Sequence, residues 1–433
     1  MGLIILLLIL LTSIFLKKPV EISILVPGIQ SRPIWNELIT DFEEENKDEN
    51  ITIKMVHTSD ETNVVRDKYK NSNYDLVYMD IIWVSELAKE GRLVALSKMF
   101  SQEELKELEA DFLPNDWKGS LYEQKPYRIP FHSDVGLLYY RKDLLKDGGY
   151  DEPPHTFDEL MKMLKKMKMS EKLRNKKPEL YIWQGMKYEG LVATFVEVLN
   201  SYGGYWIDIK RSDPDNVGLG EPPALSAVKF LHNTINKEIS PKKVTTFTER
   251  ETNDLFVHGK PVFLRSWIDF WTQGNNNLDS EIKNQFDFVS MRGVDPKNNN
   301  KVYLSCQGGW GLGISSNSEH QDEALKAIKF FTRVNTQRKY ALRTGHMPSR
   351  RSLINDLQLV KRYTYYPRLL EISQNLIQQQ RPLIANYSKV SEILQKHLSN
   401  VLNKPEMSSG DIQKEMEQAA SETRVLLKEV LQK

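Results

Sequence analysis

The chain has 433 residues, 40% hydrophobic and 27% charged, with 59 basic against 58 acidic side chains and a net charge of +1. That length favours two or more lobes with sizeable cores, and the even charge balance lacks the basic excess of a nucleic-acid binder. The single cysteine, Cys306, excludes an internal disulfide, and the apolar run Val302–Leu312 around it suits a buried, inert thiol rather than a nucleophile.

The first segment, Leu3–Leu16, is nearly all apolar and ends at Lys17-Lys18-Pro19. It is shorter than the ~20 residues that span a bilayer and fits the apolar region of a secretory signal. No basic residue precedes it and no small-x-small cleavage site closes it. Residues 1–19 are expected to be a signal peptide or an uncleaved anchor, which places the remainder outside the cytoplasm. Ile22, Ile24 and Val26 then alternate as in a strand, and Ile34, Trp35, Leu38, Ile39 and Phe42 share one helical face. Ile51, Ile53 and Met55 alternate again, Asp60–Lys70 reads as a polar helix, and Asp75–Met79 is a short apolar strand ending in Asp80. The helix Trp83–Lys89 stops at Gly91, a glycine C-terminus. Strand and helix in alternation predict an open parallel sheet with covering helices.

A second unit opens at Pro153-Pro154. Thr156 and Glu159 form a capping box for a helix over Asp158–Lys168, and Glu189–Ser201, Pro222–Asn236 and Thr248–His258 are further helices. Val262–Arg265, Phe286–Met291 and Gly309–Ser315 read as strands, His320–Arg333 as an amphipathic helix, and the chain from Pro348 onward as mostly helical. The fold class is therefore α/β in two lobes with a helical C-terminal tail. Open α/β sheets bind ligands beyond the carboxyl ends of their strands, and Asp80 and Asp134 occupy or approach such positions.

Carboxylates at strand ends under aromatic cover suit a ligand rich in hydroxyls. Ionised acceptors hold the ring-edge hydroxyls, and aromatic faces cover the C–H surface. Six segments carry the residue types: Tyr74–Leu96 with Asp80, Pro126–Leu145 with His132 and Asp134, Trp183–Gly204, Phe256–Trp271 with Trp267 and Asp269, Gln307–Asn317 with Gly308, Gly309 and Trp310, and Gly345–Leu353 followed by Arg381-Pro382 and Tyr387. The glycines of Gln307–Asn317 lack phosphate-loop spacing.

Together these segments resemble the extracellular solute-binding proteins of ABC sugar importers, and the run from Trp183 to Gly204 resembles their trehalose/maltose-binding branch. Many members carry a lipid-anchoring Cys after the signal, which this chain lacks. The resemblance implies a two-lobed, type II periplasmic-binding-protein-like fold, with 20–134 and 290–346 in the N-terminal lobe and 135–289 and 347–433 in the C-terminal lobe. Three crossings would join the lobes near Asp134–Leu137, Phe288–Arg292 and Thr344–Ser349. It also implies that Asp80 and Asp134 accept ligand hydroxyls, that His132 stands in a ligand-contact position, and that Trp267 and Trp310 stack on sugar. Asp269 lies beside Trp267, Gly308 and Gly309 would allow close backbone approach, and Arg381 would reach the ligand. Gln30, Asp60 and Asn63 would line the same crevice.

The implied ligand is a disaccharide-sized α-glucoside: trehalose, maltose, sucrose or glucosylglycerol. The implied partners are that ligand and the transmembrane subunits of an ABC permease, with no nucleic acid, no cofactor and a monomeric state. The alternative is a glycoside hydrolase using Asp80 and Asp134 as its carboxylate pair. A metal- or peptide-binding relative is the third possibility, but the eight histidines are scattered in sequence, with no cluster at ligand spacing.

Overall fold

The computed structural model describes residues 19–28, 32–58, 62–208, 216–294, 301–379 and 381–431. The expectation for residues 1–19 falls almost wholly outside them. Among the described residues no helix is long and apolar enough to cross a membrane.

Thirteen strands are described: β1 (Val20–Pro27), β2 (Ile51–Thr58), β3 (Leu76–Asp80), β4 (Leu121–Tyr122), β5 (Lys125–Pro126), β6 (Ile129–Arg141), β7 (Glu179–Ile182), β8 (Pro261–Trp267), β9 (Phe286–Val289), β10 (Met291–Val294), β11 (Lys301–Ile314), β12 (Met347–Pro348) and β13 (Leu376–Gln379). The main sheet runs β2-β1-β3-β11-β6-β8-β7, with β9 and β12 also on β6 and β10 and β13 on β11. β1, β2 and β3 are parallel, as are β7 and β8, but β11 is antiparallel to both β3 and β6, and β6 is antiparallel to β8. The sheet is thus mixed rather than parallel. Its two longest strands run through the join between the lobes in opposite directions, which forces the antiparallel pairs.

The first lobe packs the helix Arg32–Glu45 onto the sheet through Ile34, Trp35, Leu38, Ile39 and Phe42, the 3.6-residue stripe that an amphipathic helix buries. Trp35 meets Phe131 and Phe331 at ring-centroid distances of 5.3 Å each. The second lobe is built on helices Phe157–Lys168, Glu189–Ser201 and Pro222–Asn236, onto which the tail helix Tyr387–Leu402 packs. The Thr156–Glu159 capping box is present.

Strand registers locate the crossings. Val135 of β6 still pairs with Gln307 of β11, whereas Gly136 pairs with Trp267 of β8, so β6 changes partners at Val135–Gly136. β12 pairs with β6 at Ser133 and His132. The segment expected to make the second crossing changes partner at Ser290: Phe288 and Val289 pair with the distal half of β6, and Met291–Val294 forms a hairpin with Lys301–Leu304. A further change of partner comes later, between Cys306, paired with β13, and Gln307, paired with β6. The expected strand Phe286–Met291 is two strands broken at Ser290, and β11 begins at Lys301 rather than near Gly309.

A buried polar network ties β6 to β11 at this join. Arg128 is 0% and Asp116 1% exposed. Arg128 donates to the carbonyl oxygens of Gly309 (3.0 Å) and Asp116 (3.3 Å) and to Ser120 Oγ (3.2 Å). Asp116 Oδ1 accepts from Gln307 Nε2 (2.8 Å) and Ser133 Oγ (3.1 Å). Burial pushes the Asp116 carboxyl up to about 6 despite the opposing pull of Arg128. Because this folded-state value lies above the unfolded one, the group contributes stability that is fully present at acid pH and lost as pH rises through about 6. Asp116→Asn removes that ionisation. Relative to the parent protein the variant should gain roughly 2 kcal/mol between pH 4 and pH 7, read by denaturant unfolding at both values; a difference that does not change with pH contradicts this.

Candidate functional site

Side chains alternate across a strand, and residues paired across a sheet share a face. β11 carries this rule across the join. Trp310 pairs with Asp80 on one side and with His132 on the other, and His132 pairs in turn with Pro348. One step along the same face, Gly308 pairs with Asp134; one step further, Gly136 pairs with Trp267. The registers therefore set Asp80, Trp310, His132, Asp134 and Trp267 on a single face of the sheet, although they come from four strands and both lobes.

The same parity separates the two glycines. Gly309 pairs with Ser133, so it lies on the opposite face, above Asp116. Its φ of +136° and the 2.9 Å between an added Cβ and the His132 carbonyl oxygen reserve it for glycine as a backbone joint. Gly308 is the glycine on the site face. A Cβ there would come within 3.0 Å of Asp134 Cβ and 3.5 Å of the Trp267 ring. A missing side chain thus lets the indole lie beside the carboxylate.

Asp80 has two tasks. Its Oδ1 caps the turn that follows β3, accepting from Ile82 N at 3.4 Å, and also faces Arg381 Nη2 at 3.4 Å. Burial raises the carboxyl above the usual range, while Arg381 opposes the shift. Asp134 is likewise raised by burial, against the pull of His346 and Arg381. Burial, reinforced by Arg128, pushes His132 down to about 3 and keeps the ring neutral. Its Nε2 hydrogen-bonds the Tyr78 hydroxyl at 2.9 Å. Asp269 is half-buried, its Oδ2 accepting from Gln273 Nε2 at 2.9 Å, and burial raises its carboxyl too.

The two indoles are fixed by different means. Trp310 is held on the first lobe by Tyr78 (5.0 Å, tilted) and by the edge of the buried Trp83 (5.3 Å). Trp267 donates Nε1–H to Glu249 Oε1 at 3.1 Å, and the Arg265 guanidinium lies 4.0 Å from its ring centroid. Arg265 is locked by Glu197 (Nε–Oε2 3.0 Å) and by Gln184 Oε1 (3.2 Å). Gln184 is therefore a support for the second lobe.

Arg381 is only 3% exposed and is no surface pair. It donates to Glu189 Oε1 (2.8 Å), to the Gln307 carbonyl oxygen (3.2 Å) and toward Asp80. Glu189 also accepts from the Tyr387 hydroxyl and from Ser391 Oγ (2.8 Å). One guanidinium thus joins a first-lobe carboxylate, the β11 crossing and the second lobe's helix Glu189–Ser201. Gln30 and Asp60 lie outside the described residues, and Asn63 is described only as part of the helix Thr62–Asn71. Sequence reasoning gave no site role to Glu189, His346 or the Arg265–Glu197 pair. Their signal is burial of charge, which shows only when the chain is folded. Breaking a buried ion pair by removing one partner costs about 3–5 kcal/mol. Arg381→Met should lose that much stability at pH 7 and recover part of it as the pH falls and Glu189 and Asp80, both raised by burial, take up protons; a melting temperature equal to that of the parent protein contradicts the role.

Residues 28–337 match the bacterial extracellular solute-binding proteins. A probable ABC transporter-binding protein of Deinococcus radiodurans is 27% identical over 361 residues, 82% of each chain. A maltotriose-binding protein of Pyrococcus abyssi is 24% identical over 286 residues, covering 64% of this chain and 55% of that protein. Among solved structures, the maltose-bound MalE3 of T. maritima superposes with a TM-score of 0.82 at 29% identity, covering 94% of this chain and all of the other. The glycoside-hydrolase alternative is set aside, because these relatives bind solutes for transport rather than transform them. With more than half its length matched and the two-lobed architecture shared, the chain belongs to the bacterial extracellular solute-binding protein family.

Proposed function

We propose that this protein captures a disaccharide-sized α-glucoside outside the cytoplasm, as a monomer, and delivers it to the transmembrane subunits of an ABC permease. The observation that carries the reading is the common face shared by Asp80, Asp134, Trp267 and Trp310. It combines ionised acceptors for ring-edge hydroxyls with two indoles for the pyranose faces. Trehalose, maltose, sucrose and glucosylglycerol all have this chemistry. The name of the Pyrococcus abyssi relative and the maltose in the T. maritima structure support the sugar class.

Capture works by closure. Asp80 and Trp310 belong to strands of the first lobe's pairing, while Trp267 ends β8 of the second. We place the lobes at 20–134 with 307–346 and 135–306 with 347–433, which moves 290–306 to the second lobe because β10 packs there. A ligand bridging the two sets favours the closed state only by what it contributes beyond the open one. The hinge is set by the partner changes in β6 and β11 and by the segment around β12.

A thermal-shift screen across these four glycosides, with ribitol and a tripeptide as controls, tests the reading. One glycoside should raise the melting temperature by several degrees at saturation. Asp134→Ala removes a charge-assisted acceptor worth about 1.5–3 kcal/mol, so affinity should fall roughly ten- to hundredfold, and Trp267→Ala should lose about tenfold. Unchanged affinity in both variants would falsify the assignment of this face.

A further inference from the structure

Three potential metal-ligating side chains meet at the join although nothing in the sequence spacing announces them. His132 and Asp134 are two apart on β6 and so project to the same side. His346 comes from more than two hundred residues away. β12 sets Pro348 against His132 and Met347 against Ser133, so the preceding residue, His346, falls opposite Asp134. The ligating atoms of the three lie within 4.8 Å of one another. His132 Nδ1 stands 3.6 Å from Asp134 Oδ1, and the two imidazole centroids are 4.4 Å apart at 72°.

Three further observations point to a ligand. His132 Nδ1, Asp134 Oδ1 and His346 Nδ1 are each buried without a hydrogen-bond partner. Leaving a buried polar atom without a partner is unfavourable, and here three such atoms lie together. The Tyr78 hydroxyl holds His132 Nε2 at 2.9 Å, so the ring is fixed with Nδ1 directed at Asp134. Such an outer partner orients a metal-ligating histidine. Finally, Tyr340 packs against both imidazoles, with centroids at 5.6 and 5.5 Å, and Asp269 stands near His346 and adds negative charge.

We infer that His132, Asp134 and His346 form a binding site for a divalent transition-metal ion of the Zn2+ type. Two imidazole nitrogens and one carboxylate oxygen are the donors that such borderline ions take. A single cation can take one donor atom from each of the three, reaching bonding distances of about 2.0–2.2 Å as the side chains draw in around it. Three protein ligands leave a fourth coordination position free. The inference does not rest on the glycoside reading.

The test uses the full chain after chelator treatment, titrated with ZnCl2 by calorimetry and with CoCl2 by visible absorption. One equivalent should bind, and the cobalt spectrum should show nitrogen–oxygen coordination of low symmetry. His346→Ala should weaken zinc at least tenfold, and His132→Ala likewise, while the exposed His258→Ala should bind zinc as the parent protein does. The cobalt spectrum of the unmutated protein reports the donor set even if a variant fails to fold. Absence of heat and of spectral change at millimolar metal overturns the site, as does binding that both His346→Ala and His132→Ala retain. A glycoside response without metal binding removes this inference alone; zinc binding without any glycoside response removes the proposed solute instead.

Discussion

Everything at the site depends on one strand register. β11 lies between β3 and β6, and main-chain pairing at Trp310 locks Asp80 on one side to His132 on the other. Because side chains alternate with a period of two, a slip of one residue would turn this whole row to the far face. The far face is no neutral place. Asp116, Arg128, Ser133 and Gln307 fill it with a network in which each polar group depends on its neighbours. The register is thus enforced twice, by the site residues on one side and the buried ion network on the other. The glycines of Gln307–Gly311 are the structural cost of this arrangement: Gly308 leaves room for Trp267, and Gly309 absorbs a backbone conformation that side-chain-bearing residues avoid.

Charge burial gives the join its specificity. Arg381, Glu189 and Asp80 are all buried, and any one alone would be strongly unfavourable. Their mutual contacts tie Asp80 at the end of β3 to the helix Glu189–Ser201 through one guanidinium. The second guanidinium, Arg265, does comparable work for Trp267 by covering one face of the ring, with Glu197 and Gln184 holding it in place. Cys306 lies next to this system and is chemically silent, since burial pushes its thiol up to about 12.

Much of the architecture was legible in the sequence, because it is encoded locally. The alternation Ile22, Ile24, Val26, the stripe from Ile34 to Phe42 and the Thr156–Glu159 capping box each act within one or two turns of chain, and each element forms where its pattern lies. Asp80 and Trp267 end β3 and β8, close to where their local patterns put the strand ends, whereas Asp134, expected at the junction of a turn and a strand, lies inside the continuous strand β6. What the sequence hid was set by pairing at long range. His346 meets Asp134 only through the β12–β6 register, and whether Gly308 or Gly309 faces the site is a matter of parity. Arg381 could equally have been an exposed cation until Glu189 and Asp80 enclosed it. The second change of partner, at Cys306–Gln307 of β11, was equally hidden, because it follows only after the hairpin of β10 on β11.

The most direct measurement is a crystal structure with whichever glycoside stabilises the protein most. The account predicts pyranose rings seated on the site face against Trp267 and Trp310, with ring hydroxyls on the Asp80 and Asp134 carboxylates. Density for the sugar elsewhere, with those four side chains contacting only protein, would contradict it.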